Sequence, residues 1–276
     1  MKKLLKLLVT AALGGASLFS SLGLVACRGG DGKTIRIGAS PTPHAEILKD
    51  VVKGIVEEKG YKLEIVEYPD YVLPNTAVEN GELDANYFQH NMYLNWFNAE
   101  YGTHLKAVAQ VHYEPFGVYR GSFTGDSLSE LPNGSKILVP NDGTNEARAL
   151  FLLQKEGLIK LRDGITPSEA TKLDIVENVK SFEIVEVEAA QTAISRRDGA
   201  VAVINGNYAI QNGLDISDAI ATEESSDENV FDYVNVIAVK SGSENSDKIK
   251  ALVDAILSDA VKRYVEEHYS GAVVTL

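Results

Sequence analysis

The chain has 276 residues, 45% of them hydrophobic and 24% charged, with one cysteine and a formal net charge of −13 at pH 7. The hydrophobic fraction is ordinary for a folded soluble protein, and the acidic balance argues against a nucleic-acid partner. A single cysteine excludes an internal disulfide and a thiolate metal cluster.

At the front, Lys2, Lys3 and Lys6 precede an uncharged run from Leu7 to Ala26, the charged and apolar regions of an export signal. A retained transmembrane anchor is the alternative for a run of this length. Leu24-Val25-Ala26-Cys27, however, resembles a lipobox, which predicts a signal peptide over 1–26 and acylation of Cys27 as the first mature residue. Removing 1–26 takes away three lysines and no acids, so the net charge becomes −16 over the remaining 250 residues. Residues 27–33 read as a lipidated, flexible tether. GGDGKT within the tether looks like the end of a phosphate-binding loop, but Cys27 stands where that motif needs glycine and no strand precedes it.

The body alternates between β-rich and helical patterns. Thr34 to Ala39 alternates as a strand, and Leu48, Val51, Val52 and Ile55 form the apolar stripe of a helix packed on a sheet. Strands are expected over Lys62 to Glu67 and Asp84 to Phe88, with helices over Asn75 to Gly81 and Met92 to Tyr101. Ala107 to Tyr119 reads as a long strand broken near Pro115. The pattern then restarts: KILVP (136–140) as a strand, GTNEARALFLLQKEG (143–157) as a helix, FEIVEVE (182–188) as a strand, AAQTAISRRDG (189–199) as a helix and AVAVIN (200–205) as a strand. VNVIAVK (234–240) adds a strand, and Asp247 to Tyr269 reads as one long amphipathic helix. Two α/β units with a mostly parallel sheet are expected.

No G-x-S-x-G, H-E-x-x-H or G-x-G-x-x-G occurs, and the five histidines, His44, His90, His104, His112 and His268, are scattered. Export, two lobes and no catalytic motif point to a binding protein whose ligand sits outside the carboxyl ends of the strands. In NYFQHNMYL (86–94), Phe88 and His90 can share a face of an extended strand, with Tyr93 folding over them from the next helix. A packed core histidine beside rings is the competing reading of that stretch.

Several long stretches carry a family resemblance: YPDYVLPN (68–75), ANYFQHNMYL (85–94), HYEPFGVY (112–119), PNDGTNEARALFLLQKEGLI (140–159), VINGNYA (203–209) and YVNVIAV (233–239). With the lipobox and the Gly271–Val273 ending, they make the chain similar to the NlpA/MetQ family of methionine-binding lipoproteins. The resemblance implies the two-lobed fold of periplasmic binding proteins, with chain crossings near Phe116 and Asn235. Lobe I would take 34–116 and 237–276, and lobe II 117–236. It also implies a non-enzymatic protein without cofactor or metal, lipid-anchored at the extracytoplasmic face of the cell membrane. Such a protein hands methionine to the permease and ATPase of an ABC importer.

The family's ligand contacts map onto Tyr71, Phe88, His90, Tyr93, Arg148, Asn205 and Asn235. Arg148 would offer a planar fork to an α-carboxylate near a helix N-terminus. Asn205 and Asn235 would accept from an α-ammonium, and the rings would contact a thioether. Where the family commonly has proline, this chain has Met92. Two other readings stay open: another amino acid or a methionyl dipeptide as ligand, or an enzyme using His90 or His112 with Glu114 as acid and base.

Overall fold

The structure, a computed structural model, describes residues 32–224 and 230–275. The export signal and Cys27 lie outside the described residues. Among those residues, no helix is long and apolar enough to cross a membrane.

The chain opens with β1 (Thr34–Ala39). Two wide helical turns, Pro41–Ala45 and Leu48–Val52, then lead into α1 (Lys53–Glu58). Next come β2 (Lys62–Glu67), α2 (Leu73–Glu79), β3 (Ala85–His90), α3 (Asn91–Tyr101) and β4 (Leu105–Tyr113). A three-residue crossing then leads to β5 (Gly117–Arg120), β6 (Lys136–Pro140), α4 (Gly143–Lys155) and the short pair β7 (Lys160–Leu161) and β8 (Ile175–Glu177). The same half continues with β9 (Glu183–Val187), α5 (Ala189–Thr192), β10 (Val201–Ile204), α6 (Gly206–Gln211) and β11 (Ala219–Thr222). The chain returns through β12 (Val234–Lys240), α7 (Asp247–Ile256), α8 (Asp259–Tyr269) and β13 (Val274–Thr275).

The strands make two main sheets, ordered β13-β4-β12-β3-β1-β2 and β11-β5-β10-β6-β9. Each has its own core. Ile35, Ile37, Leu48, Val52, Leu252, Ile256 and Val265 pack on the first, and Ile137, Val139, Leu150, Leu153, Val201 and Val203 on the second. Only part of each sheet is parallel. β1 pairs in parallel with β2 and β3, and β6 with β9 and β10. β12, returning from the second sheet, runs antiparallel between β3 and β4, so the mostly parallel expectation holds for the βαβ segments and fails where the chain crosses back.

The break expected near Pro115 separates β4 and β5 into different sheets. The second crossing lies between Thr222 and Val234, because Val234, Asn235 and Val236 already pair in the first sheet. That is slightly earlier than the expected boundary at 236. The long terminal helix is two helices: Leu257 ends α7, and Ser258, extended at ψ 153°, occupies the N-cap of α8 with Asp259 in its first turn. A Ser-Asp pair inside an apolar-periodic stretch is a start signal that periodicity alone overlooks. The expected helix over 189–199 shortens to α5 followed by a tight turn at Arg196–Asp198.

Candidate functional site

The ends of β3 and β10, the start of β12 and the crossing at Glu114–Phe116 converge between the two sheets, around a pocket whose empty volume of about 320 Å³ includes open solvent. All seven residues expected to contact a ligand line it: Tyr71, Phe88, His90, Tyr93, Arg148, Asn205 and Asn235. Gln89, Glu114, Phe116, Asn145, Gly206 and Asn207 complete the wall.

Local sequence explains how each side chain gets there. Asp70 Oδ1 accepts from the backbone N–H groups of Val72 and Leu73, both at 2.8 Å, and Pro74 stands in the first turn of α2. This helix start holds Tyr71 at the rim. At the end of β3, His90 caps α3: its Nδ1 accepts from Tyr93 N at 3.0 Å, which leaves the proton on Nε2 to face Asn145 Oδ1 at 3.2 Å. Burial, followed by the charge of Arg148, lowers the imidazole to about 3, so it is neutral.

Gln89 is not free for a ligand. Its amide closes a buried network with Asn75 and Asn86 through bonds of 2.6 to 3.0 Å, which fixes the strand that carries Phe88 and His90. Met92 packs against Tyr113, Tyr233 and Val234, away from the pocket wall.

The rings form one end of the site. Tyr71 lies with its centroid 5.6 Å from Phe88 and 5.7 Å from Tyr93, and Phe88 lies 6.1 Å from Tyr93. Tyr71 OH donates to Asn207 Oδ1 at 2.6 Å, and Tyr208 OH to Pro69 O at 3.2 Å. Together with His90–Asn145, these bonds join the two lobes across the cleft.

The other end is charged. Arg148 comes from α4, whose N-cap Asp142 accepts from Asn145 N at 3.1 Å and Asn145 Nδ2 at 2.8 Å. The guanidinium is already engaged: Nε and Nη2 donate to the two carboxylate oxygens of Glu223 at 2.8 and 2.6 Å, and Nη2 also donates to Glu114 O at 2.8 Å. Its faces lie 4.0 Å from the Phe116 centroid and 4.2 Å from that of Tyr233. Tyr113 OH and Phe116 N add donors to Glu223 at 2.8 and 2.9 Å. Burial opposes the charge on Arg148, but Glu223 outweighs it and raises the guanidinium above its ordinary range. The expected Arg148 therefore lines the pocket, but as half of an ion pair whose other half, Glu223, carries no motif in the sequence.

Glu114 is the second charge at this end. Burial works against it, yet His44, the hydrogen bond from His112 and the backbone N–H of Asn207 keep its carboxyl below the usual range. Its close approach to α6 needs glycine at 206, where a Cβ would lie 2.8 Å from Glu114 Cβ. Asn205 Oδ1 and Asn207 Nδ2 are buried with no hydrogen-bond partner, which marks an acceptor and a donor awaiting a bound group.

Asn235 differs from expectation in one respect, since His44 Nε2 lies 3.0 Å from its Oδ1 and fixes that oxygen in place. His44, His112 and Glu114 bring three potential metal donors within 4.8 Å of one another. Their hydrogen bonds assign the atoms otherwise. His112 Nε2 faces Glu114 Oε1 at 2.7 Å while its Nδ1 pairs with Tyr87 OH, and His44 Nε2 faces Asn235 Oδ1 and, at 3.4 Å, Glu114 Oε1. A metal-bound imidazole ordinarily donates its second N–H to a partner, and His44 Nδ1 has none. Burial lowers His44 to about 4, so its imidazole is neutral, and the His44 and His112 contacts hold Glu114 and Asn235 in position.

The profile of the NlpA lipoprotein family matches residues 35–276. A methionine-binding lipoprotein, MetQ, of Bacillus subtilis is 40% identical, with 94% of this chain and 96% of the relative covered. Among solved structures, a lipoprotein from Ruminococcus gnavus superposes with a TM-score of 0.85 at 53% identity, covering 88% of this chain and 99% of its own. A nutrient-binding protein from Burkholderia cenocepacia, determined with methionine bound, gives 0.82 at 39% identity, with 87% and 99% covered. The fold is the two-lobed fold of periplasmic substrate-binding proteins, and the chain belongs to the NlpA lipoprotein family.

Proposed function

We propose that the protein captures L-methionine in this cleft and delivers it to the membrane permease and ATPase of an ABC importer, while lipid on Cys27 tethers it to the extracytoplasmic face of the cell membrane. It acts by binding rather than catalysis. The observation that carries the reading is the polarity of the pocket: Arg148, Glu114 and the unpartnered Asn205 Oδ1 at one end, and the rings of Tyr71, Phe88 and Tyr93 at the other.

An α-amino acid has the matching polarity. Its ammonium meets the Glu114 carboxylate and Asn205 Oδ1, its carboxylate meets the part of the Arg148 guanidinium that faces the pocket and the Asn207 Nδ2 donor, and its side chain enters the ring slot. A thioether gains roughly 0.3 to 1.5 kcal/mol from each sulfur–ring contact. The Bacillus and Burkholderia relatives, named for or solved with methionine, support the choice of side chain.

Ligand-induced rises in melting temperature at equal concentration test the reading, because they report affinity by linkage. The expected order is methionine, norleucine, leucine, glutamine. Norleucine keeps the shape and loses one polarizable atom, whereas the branch of leucine overpacks the slot at a cost of roughly 1 to 3 kcal/mol. Glutamine brings an amide that finds Gln89 already engaged. Greater stabilisation by glutamine than by methionine would overturn the methionine reading.

A further inference from the structure

A second cavity lies just outside the ring slot. Tyr71 and Tyr93 are common walls of the two spaces, and the outer chamber has an empty volume of about 1200 Å³ that includes open solvent. Its chemistry differs from that of the inner pocket. Trp96 and Tyr208 extend the aromatic surface, and the charged residues of its lining are Asp70, Asp142 and Glu188, with no lysine, arginine or histidine among the described lining residues.

Asp142 is the informative one. One carboxylate oxygen caps α4 through Asn145, while Oδ2 is buried and has no partner. Asp70 Oδ1 is likewise committed to the start of α2. Both acids are held in place by backbone contacts, so their field is fixed relative to the rings. Asp70 and Asp142 line the same chamber as Tyr93 and Tyr208, and burial first, then these carboxylates, raise both phenols. Rings carry negative faces toward a cation. Rings and carboxylates therefore favour the same sign of charge.

A ligand whose α-groups sit at Arg148 and Glu114 points its side chain at Tyr71 and Tyr93, the two walls that the inner pocket shares with this chamber. We infer that the chamber is a second subsite for a positively charged substituent at sulfur, so that the protein binds sulfonium amino acids as well as the thioether. The smallest such ligand is S-methylmethionine, which adds one methyl group and one positive charge. A neutral extension gains burial alone, and an anionic one meets three carboxylates. The inference rests on the amino-acid orientation proposed above.

Calorimetry on ligand-stripped full-length protein tests it with three probes: methionine, S-methylmethionine, and S-carboxymethylcysteine, which carries an anion beyond the sulfur. S-methylmethionine is expected within about tenfold of methionine in Kd, and the anionic probe about a hundredfold or more weaker. The ratio of the S-methylmethionine Kd to the methionine Kd should rise about tenfold in Asp142→Asn and about threefold in Glu188→Gln. Asparagine retains the helix cap, and reading a ratio removes any general loss of binding. If methionine binds and S-methylmethionine does not, or if the ratio is unchanged in both variants, the subsite is refuted while the methionine reading stands. If S-methylmethionine binds with the Asp142 dependence and methionine does not, the subsite holds and the methionine reading falls. Failure of both ligands overturns both.

Discussion

Arg148 and Glu223 form a two-point ion pair, with side chains only 3% and 10% exposed, that couples the helix carrying Arg148 to the segment returning toward the first sheet. Removing one partner of such a buried pair strands the other, at a typical cost of about 3 to 5 kcal/mol. Donors from Tyr113 and Phe116 remain to Glu223, so Arg148→Ala should lower unfolding stability by roughly 3 kcal/mol. Glu223→Gln retains an acceptor for the guanidinium and should cost roughly 1 to 2 kcal/mol. Urea titrations read both. Equal losses in the two variants would show that Arg148 is not held in the way described. Arg148→Ala should also abolish measurable ligand heat, whereas Glu223→Gln should retain it.

The bond from Tyr71 OH to Asn207 Oδ1 spans the cleft, so it contributes to the closed arrangement and not to an open one. Tyr71→Phe keeps the ring and removes the bond. Affinity should drop by about 1 kcal/mol, roughly fivefold, with melting temperature of the ligand-free protein nearly unchanged. Small-angle scattering should show less compaction on ligand addition in the variant than in the parent. Identical affinity would place the lobe-joining free energy elsewhere.

Asp142 gives a pH signature. Burial pushes its carboxyl up from 3.8 to about 6, so the folded state holds a proton that the unfolded state releases. Stability from this group is therefore greatest below the unfolded value near 3.8 and is lost as pH rises to about 6. His44 and His90, lowered to about 4 and about 3, contribute the opposite slope as pH falls below 6.5. The comparison must therefore be between variant and parent. Asp142→Asn should gain on the parent across this window, by at most ~3 kcal/mol, measured as denaturation midpoints at pH 4, 5, 6 and 7. A constant difference at all four would mean that Asp142 does not titrate there.

Lipid attachment has its own assay. Cys27→Ala expressed with radiolabelled palmitate should lose the label that the parent incorporates. Label retained on the variant would contradict the lipobox reading.

Much of this site was legible as sequence because its residues sit in contiguous motifs. Phe88, His90 and Tyr93 lie in one strand-to-helix turn, and Arg148 follows the Asp142 cap by under two turns of α4. Glu114 was visible only as an acid–base partner for His90 or His112, and His44 only as one of five scattered histidines. Each acts through a contact made across the fold, such as His44 to Asn235 over 191 residues, and such contacts leave no local pattern. Glu223 was hidden for the same reason: it is one acid among 39, and only the crossing from β11 to β12 brings it to Arg148. The mostly parallel sheet expected from the element order failed in part for a similar reason. Periodicity identifies β12 as a strand, but its insertion antiparallel between β3 and β4 depends on where the chain returns.

The central claim, that the pocket between Arg148 and the Tyr71–Phe88–Tyr93 rings recognises methionine, is tested most directly by titration calorimetry. Protein stripped of ligand by unfolding and refolding would be titrated with L-methionine and, separately, with L-glutamine. The account predicts saturable one-to-one binding of methionine, with glutamine weaker by at least roughly tenfold, since the buried amide lacks partners in the slot. No heat with methionine, or tighter binding of glutamine, would contradict it.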